Sequence, residues 1–289
     1  MKPSPFSYHR ADSVEHALTL LAELEDAKVL AGGQSLMPMM NFRYVAPEHI
    51  VDINRVTALE GIQINGDKVT IGAMTRQRDL ARHDELGARC PLFKEALHWV
   101  GHIATRNRGT IGGSLSHLDP AAELPAVLAA VDAELLVRNA EGERLGSIHD
   151  WSLGFMTPDL EADELLCEIR FTLPPANHGA SFHEFARRHG DFAMAGAAAV
   201  IAPDDNGLVS HCAIAIAGVD VAPTRLGTAE AALTGQKPTP EAVAAAAEHA
   251  REVPGLDDVH ASAAYRQKLA VVMVRRALTD ALVNASGGR

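Results

Sequence analysis

The stretch that most constrains this chain is Arg106-Asn107-Arg108-Gly109-Thr110-Ile111-Gly112-Gly113-Ser114-Leu115, which continues through His117-Leu118-Asp119-Pro120-Ala121-Ala122-Glu123-Leu124-Pro125. Three glycines within five residues, with hydroxyls at Thr110 and Ser114, let a backbone turn sharply and aim consecutive N–H groups at an anion. The Ala-rich run 121–133 behind them reads as a helix, with Asp119 as its expected N-cap and Pro120 as its first helical residue. A lone glycine pair reads equally well as a tight turn between core elements. The chain holds a second such loop, however, at Ala31-Gly32-Gly33-Gln34-Ser35-Leu36.

Neither loop fits a single-loop nucleotide site. A dinucleotide fingerprint needs G-x-G-x-x-G opening a helix and an acid about twenty residues on, and a P-loop needs a lysine after its second glycine. Two short loops from two subdomains can instead clamp an extended pyrophosphate from both sides. With 26 Lys and Arg against 37 Asp and Glu the formal charge is −11, which disfavours a nucleic-acid backbone or an anionic membrane as partner. No run approaches the ~20 apolar residues of a membrane span, and the start Met1-Lys2-Pro3-Ser4-Pro5 leads into polar sequence, so a cytoplasmic protein is expected. Cys90, Cys167 and Cys212 lie far apart and form no C-x-x-C, which points to burial as small apolar residues. Three thiols also fall short of the about four that hold an iron–sulfur cluster.

Taken in order, Ser13 precedes an amphipathic helix over 14–24, the short apolar run 27–31 has the length of a strand, and 49–53 reads as another strand. The methionines of 36–43 are expected to be core filler. Ile62-Gln63-Ile64 and 68–73, separated by Asn65-Gly66-Asp67, carry the strongest hairpin signal in the chain. Helices are expected over 76–82 and 91–100, then strands at 134–138 and 164–173, the latter ending at Pro174-Pro175. Beyond that double proline, residues 180–186 open a further region. Strands are expected at 195–202 and 210–217 about a turn at 203–207, helices at 224–233, 240–251 and 263–282, and a frayed tail at 285–289. His98 and His102 have helical zinc-ligand spacing, but no third ligand stands nearby and no metal site is expected.

The two glycine motifs at this separation, with Asp119-Pro120-Ala121-Ala122-Glu123-Leu124-Pro125 and Arg187-Arg188-His189-Gly190-Asp191-Phe192-Ala193-Met194-Ala195, resemble the FAD-binding medium subunit of the molybdenum hydroxylases, the family of aerobic carbon monoxide dehydrogenase and xanthine dehydrogenase. The resemblance covers essentially the whole chain. It implies an α+β fold: a two-subdomain FAD-binding region of the vanillyl-alcohol oxidase type over 1–175 (subdomains 1–56 and 57–175), then a C-terminal domain over 176–289 with a small antiparallel sheet and helices. Position by position, it implies that Val29, Leu30, Ala31, Gly32, Gly33, Gln34, Ser35 and Leu36 wrap the FAD diphosphate through backbone N–H groups. Thr110, Ile111, Gly112, Gly113 and Ser114 would meet it from the other subdomain, the glycines serving close approach. It also implies that Glu123 hydrogen-bonds sugar or ribityl hydroxyls, that Leu165 and Leu166 pack on the cofactor, and that Phe192 lies beside the isoalloxazine without the hydroxyl of the tyrosine found in many relatives.

The implied function is electron transfer from iron–sulfur clusters through FAD to an external acceptor. Molybdopterin and 2Fe–2S clusters would sit on a large and a small partner subunit, in a dimer of heterotrimers. No nucleophile or acid–base pair in the sequence is assignable to substrate chemistry, which fits a chain whose cofactor carries the reaction. The alternatives are a structural FAD-binding assembly subunit and a free-standing flavin oxidase, for which His117 is the nearby candidate for covalent attachment. Gln34 stands where carbon monoxide dehydrogenases tend to carry histidine, an argument against carbon monoxide as substrate of the complex.

Overall fold

A computed structural model describes residues 1–287. The N-terminal unit is built from β1 (Ser7–Arg10), α1 (Val14–Glu23), β2 (Ala27–Leu30), α2 (Leu36–Asn41) and β3 (His49–Asp52). Its three strands form a parallel sheet in the order β1-β3-β2. Ser13 caps α1 by accepting from His16 N at 3.1 Å, and the helix buries Val14, Ala17, Leu18 and Leu21. Sequence periodicity gave no sign of β1, whose residues Ser-Tyr-His-Arg are polar and mostly exposed on the sheet edge.

The second subdomain holds a five-stranded antiparallel sheet. Its strands are β4 (Ile62–Asn65), β5 (Lys68–Gly72), β6 (Glu134–Arg138), β7 (Glu143–Ser147) and, after the small β8 (Ser152–Gly154) and β9 (Thr157–Pro158) ribbon, β10 (Leu165–Thr172). They lie in the order β4-β5-β10-β6-β7, so the hairpins β4–β5 and β6–β7 flank β10. Gly66, at φ +64°, makes the first hairpin turn. Six helices cross between β5 and β6: α3 (Gln77–Arg82), α4 (Asp84–Arg89), α5 (Leu92–Trp99), α6 (Ile103–Arg108), α7 (Ile111–His117) and α8 (Glu123–Ala130).

Two expectations for this region are corrected. The glycine-rich stretch is two short helices, α6 and α7, with Gly109 and Thr110 between them, because Thr110 caps α7 by accepting from Gly113 N at 3.0 Å and draws both later glycines into its first turn. The Ala-rich helix starts at Glu123, not at Pro120. Asp119 spends its side chain on a local turn, accepting from Ala121 N at 2.9 Å, and the cap position falls to Ala122, which has no polar group to offer.

The C-terminal domain is a four-stranded antiparallel sheet of β11 (Gly179–Phe185), β12 (Ala195–Pro203), β13 (Val209–Ala217) and β14 (Thr224–Arg225), with α9 (Gly227–Leu233), α10 (Pro240–Glu248) and α11 (Ala263–Ala285). The helix expected from 224 starts at Gly227 because Thr224 and Arg225 pair with Ile216 and Ala215 of β13. Strand β12 is Ala-Gly-Ala-Ala-Ala-Val-Ile-Ala-Pro and is buried on both faces. Ala198 and Val200 face the core shared with α5 and α8, whereas Ala197, Ala199 and Ile201 face the core made with α11, so small side chains let both layers come close. α11 extends through Ala285, three residues past the expected end, and of the expected frayed tail Gly288 and Arg289 lie outside the described residues.

Candidate cofactor-binding site

The two glycine stretches meet face to face. A Cβ on Gly32 would stand 2.8 Å from the carbonyl carbon of Arg108 and 2.9 Å from Gly109 Cα, so only hydrogen fits there. Two side chains that sequence reasoning did not single out fasten this contact. Asn54, just past β3, donates through Nδ2 to the carbonyls of Leu30 (3.3 Å) and Ala31 (2.8 Å). Arg76 donates to Asn54 Oδ1 at 2.7 Å and, through its other terminal nitrogen, to the Arg108 carbonyl. One guanidinium thus reaches the first loop through Asn54 and the second directly. Burial, and then the neighbouring Arg108 charge, hold the Arg76 pKa below the usual arginine value.

The loops differ in what they can still bind. In the first, the N–H groups of Gly33, Gln34, Ser35 and Leu36 donate to no protein acceptor among the described residues, and Gly33 sits at φ +71°. Gln34 folds back, its Nε2 donating to Gly32 O at 3.1 Å, and Val29 and Leu30 lead in as the partly buried end of β2. Four consecutive unused amides form the type of concavity that takes an anion such as a diphosphate. In the second loop, by contrast, the amides are used internally. Ile111 N donates to Thr75 O, Gly112 N to Ala73 O, Gly113 N to Thr110 Oγ1 and Ser114 N to Thr110 O. The Ser114 hydroxyl makes no hydrogen bond among the described residues and is only partly buried, so this side offers a hydroxyl and the positive end of α7.

Gly112 has a packing reason to be glycine: its Cβ direction meets Ala73 Cβ at 2.6 Å and Ala73 O at 2.7 Å, so the missing side chain lets α7 pack on the end of β5.

Leu165 and Leu166, on β10, are 4 % and 3 % exposed and lie in two different cores, Leu165 with Met74 and Val51, and Leu166 with Ile111 and Leu115 of α7. Phe192 is 73 % exposed on the 187–194 loop, which folds against the end of α5: the His189 ring lies 5.1 Å from that of His98 and 5.6 Å from that of Trp99. No group of three or more His, Cys, Asp or Glu able to hold a metal occurs among the described residues.

Glu123 opens α8, behind the second loop, partly open at the residue level but with its carboxyl packed in by protein. Burial first, and then the Asp119 charge, push its pKa up to about 7 against the opposing pull of its own backbone amide and Arg106. Glu184 of β11, which sequence reasoning missed, is 7 % exposed; neither carboxyl oxygen has a hydrogen-bond partner. Burial, and then the Glu123 charge, raise it to about 9. The Glu123 carboxyl and the unused amides of 33–36 are polar groups that fit a phosphate-bearing, polyhydroxylated cofactor. Two surface clefts, of about 450 Å³ beside Trp151 and Val221 and about 370 Å³ between Glu15 and Arg138, are lined by neither loop.

A family model for the FAD binding domain in molybdopterin dehydrogenase matches residues 4–174, and one for the CO dehydrogenase flavoprotein C-terminal domain matches residues 180–281. The chain is a molybdenum hydroxylase FAD subunit. It is 43 % identical to the 6-hydroxypseudooxynicotine dehydrogenase complex subunit alpha of Paenarthrobacter nicotinovorans over 99 % of this chain and 97 % of that one. It is 37 % identical to the caffeine dehydrogenase subunit beta of Pseudomonas sp. (strain CBB1), over 97 % of this chain and 96 % of that one. Among solved structures it matches the carbon monoxide dehydrogenase from Hydrogenophaga pseudoflava that lacks the Mo-pyranopterin moiety of the molybdenum cofactor. The TM-score is 0.95 at 41 % identity, over 98 % of this chain and 99 % of that one. These relatives belong to dehydrogenases named for unlike compounds, so an oxidoreductase role is common to them while the substrate is not.

Proposed function

We propose that this chain is the electron relay of a multi-subunit molybdenum hydroxylase, holding FAD between its two glycine loops and passing electrons from a small iron–sulfur subunit to an external acceptor. The observation that carries this reading is the row of four unused amides at Gly33 to Leu36, braced against the second loop through Asn54 and Arg76. When bound, FAD supplies the chemistry, accepting electrons singly or in pairs. The chain's own residues bind and orient it. The amides of 33–36 hold the diphosphate, Thr110 and Ser114 close the second side, and Glu123 accepts from the polyol hydroxyls. Leu166, packed with Ile111 and Leu115, forms the apolar floor beneath the second loop, Leu165 backs the first subdomain, and Phe192, on its exposed loop, would stand beside the flavin ring.

The division of labour follows from what the chain holds. Its three cysteines are buried, form no disulfide, lie apart in sequence and are too few for a cluster, which agrees with 2Fe–2S centres on the small partner and molybdopterin on the large one. A dimer of such heterotrimers in the cytoplasm is the assembly this reading implies. Among the described residues no helix is long and apolar enough to cross a membrane.

The test is anaerobic reduction of the purified, FAD-loaded chain. Dithionite is expected to bleach the flavin, and N-heteroaromatic substrates to leave it oxidised until the molybdenum and iron–sulfur subunits are added. Rapid bleaching by such a substrate with no partner present sinks the relay reading in favour of an independent flavin oxidase. Colour that stays with acid-precipitated protein would point the same way, with His117 as the attachment point.

A further inference from the structure

Glu184 is the unusual polar group of this fold. It lies on the face of β11 that alternates with Ala180 and Phe182 into the core shared with α5 and α8, where a carboxyl with no hydrogen bond has no reason to be on stability grounds. Opposite it on β12 is Gly196. The neighbouring strand places Ala217 across from Gly196, and the next residue, Gly218, donates to Pro120 O at 2.7 Å. That bond pins the turn just ahead of Glu123 to the strands beside Glu184, so the C-terminal domain delivers one carboxyl and the FAD-binding domain the other to one place.

The charged groups around the pair are few. From α5, Glu95 is occupied in accepting from Phe182 N at 2.9 Å, and Arg106 of α6 and Asp119 act on Glu123. β12 carries no ionisable side chain, and His183 points to the other face, where it meets Asp280 of α11 at 2.7 Å. Among the described residues, Glu123 is the charge that acts on Glu184.

We propose that Glu123 and Glu184 form a two-carboxyl proton store at the domain junction, in which Glu184 stays uncharged beside Glu123 and sets the upper pH limit for retention of a flavin nucleotide. The inference rests on the flavin reading above. Two carboxylates cannot both ionise cheaply in a site closed to water, so the second proton is held after the first is lost. Between about pH 7, where Glu123 titrates, and about pH 9, where Glu184 does, the pair keeps one proton. Above that range two negative charges share the site. Glu123 is then repelled from the position in which it accepts a ligand hydroxyl, and an anionic diphosphate is held less well.

The experiment measures FAD affinity of the full chain from about pH 6 to about pH 9.5 by flavin fluorescence, for wild type and Glu184→Gln. Gln mimics the protonated acid, so at pH 7 the two should bind within about twofold of each other. At pH 9.5 the wild type should have weakened about fourfold more than the variant, the fraction expected for a group titrating near 9. Equal slopes overturn the proposal. A second readout needs no ligand: infrared spectroscopy of the wild-type chain at pH 8 should show a protonated carboxyl stretch that Glu184→Gln removes. Its absence in the wild type overturns the proposal whatever the flavin data show. In Glu123→Gln the band should disappear at lower pH than in the wild type, because the repelling charge is gone, and should still be present at pH 7, because the burial remains; an unchanged titration sinks the pairing. A wild-type chain that shows the band yet binds no FAD at any pH overturns the flavin reading and the ligand half of this proposal, leaving the shared proton.

Discussion

The Arg108 carbonyl occupies the space where a side chain on Gly32 would go, so the two glycine loops touch backbone to backbone. Gly32→Ala forces them apart. Overpacking of this kind costs about 1–3 kcal/mol, and here the displaced segment is the one carrying the unused amides. FAD content per purified chain should fall by about tenfold or more while circular dichroism stays native. A variant with full flavin content would remove this contact from the account of the site.

Gly33 and Gly112 should behave differently from each other. Gly33 sits at φ +71° with only the Leu30 and Met37 side chains beside it, so Gly33→Val adds about 1–2 kcal/mol of backbone strain and misaims the amides. Flavin should be lost with the fold retained. In Gly112→Val the added carbons meet Ala73 Cα at 3.0 Å and its carbonyl, and the whole second subdomain should be destabilised, visible as a lower melting temperature. Identical melting temperatures for the two variants would contradict the packing role given to Gly112.

The sequence made the glycine loops and most elements legible because each rests on local signals: Ser13 as a cap, Gly66 in a hairpin turn, apolar periodicity in α5 and α11. What it hid depends on contacts distant in the chain. Asn54 and Arg76 stand 22 residues apart and have no motif; they matter because the segment after β3 and the N-cap of α3 meet at the loop junction. β1 is a polar edge strand that exists by pairing with β3, about 40 residues later. Glu184 reads as an ordinary polar residue of an alternating strand until α5 and α8 are packed over it. The helix start at Glu123 was misplaced because Asp119 could serve either a cap or a turn, and only the path of the following chain decides which.

The Asn54–Arg76 link gives a third expectation. Asn54→Ala and Arg76→Ala should each weaken FAD retention, and the double variant should be little worse than the worse single one, because both break one chain of bonds from Ala31 to Arg108. A coupling energy of about 0.5–3 kcal/mol is expected from the cycle. Strict additivity in measured dissociation constants would show that the two side chains act separately.

The three thiols should be inert in the native chain. Cys90, Cys167 and Cys212 are 0 %, 3 % and 8 % exposed, and burial pushes their pKa values up to about 12, 11 and 12. At about pH 8 a thiol reagent should label none of them until denaturant is added, and then all three. Fast labelling of the native protein at any of the three would contradict the packing described for its core.

Stability itself should fall with rising pH across the neutral range. Glu95, Glu123 and Glu184 all have folded-state pKa values above those of an unfolded chain, chiefly because burial disfavours their charged forms. Between the unfolded value near ~4.5 and the folded ones the native state therefore binds more protons than the unfolded state, and the free energy of unfolding declines as pH rises. The contribution of these carboxyls is complete below about pH 4.5, is lost progressively through about pH 7 for Glu123 and about pH 9 for Glu184, and changes no further above that. Carboxylates held low, such as Asp52 with its hydrogen bonds from Tyr8 and Asn54, act in the opposite sense only at acid pH, so they do not mask the slope above pH 6. Glu184→Gln removes the largest of the three shifts. In scanning calorimetry the wild-type melting temperature should drop from about pH 7.5, above the range in which the buried His117 and His211 act in the opposite sense, to about pH 9, and the variant should fall less steeply and cross above the wild type at the alkaline end. A variant curve parallel to the wild type would mean that Glu184 already loses its proton at neutral pH in the folded chain.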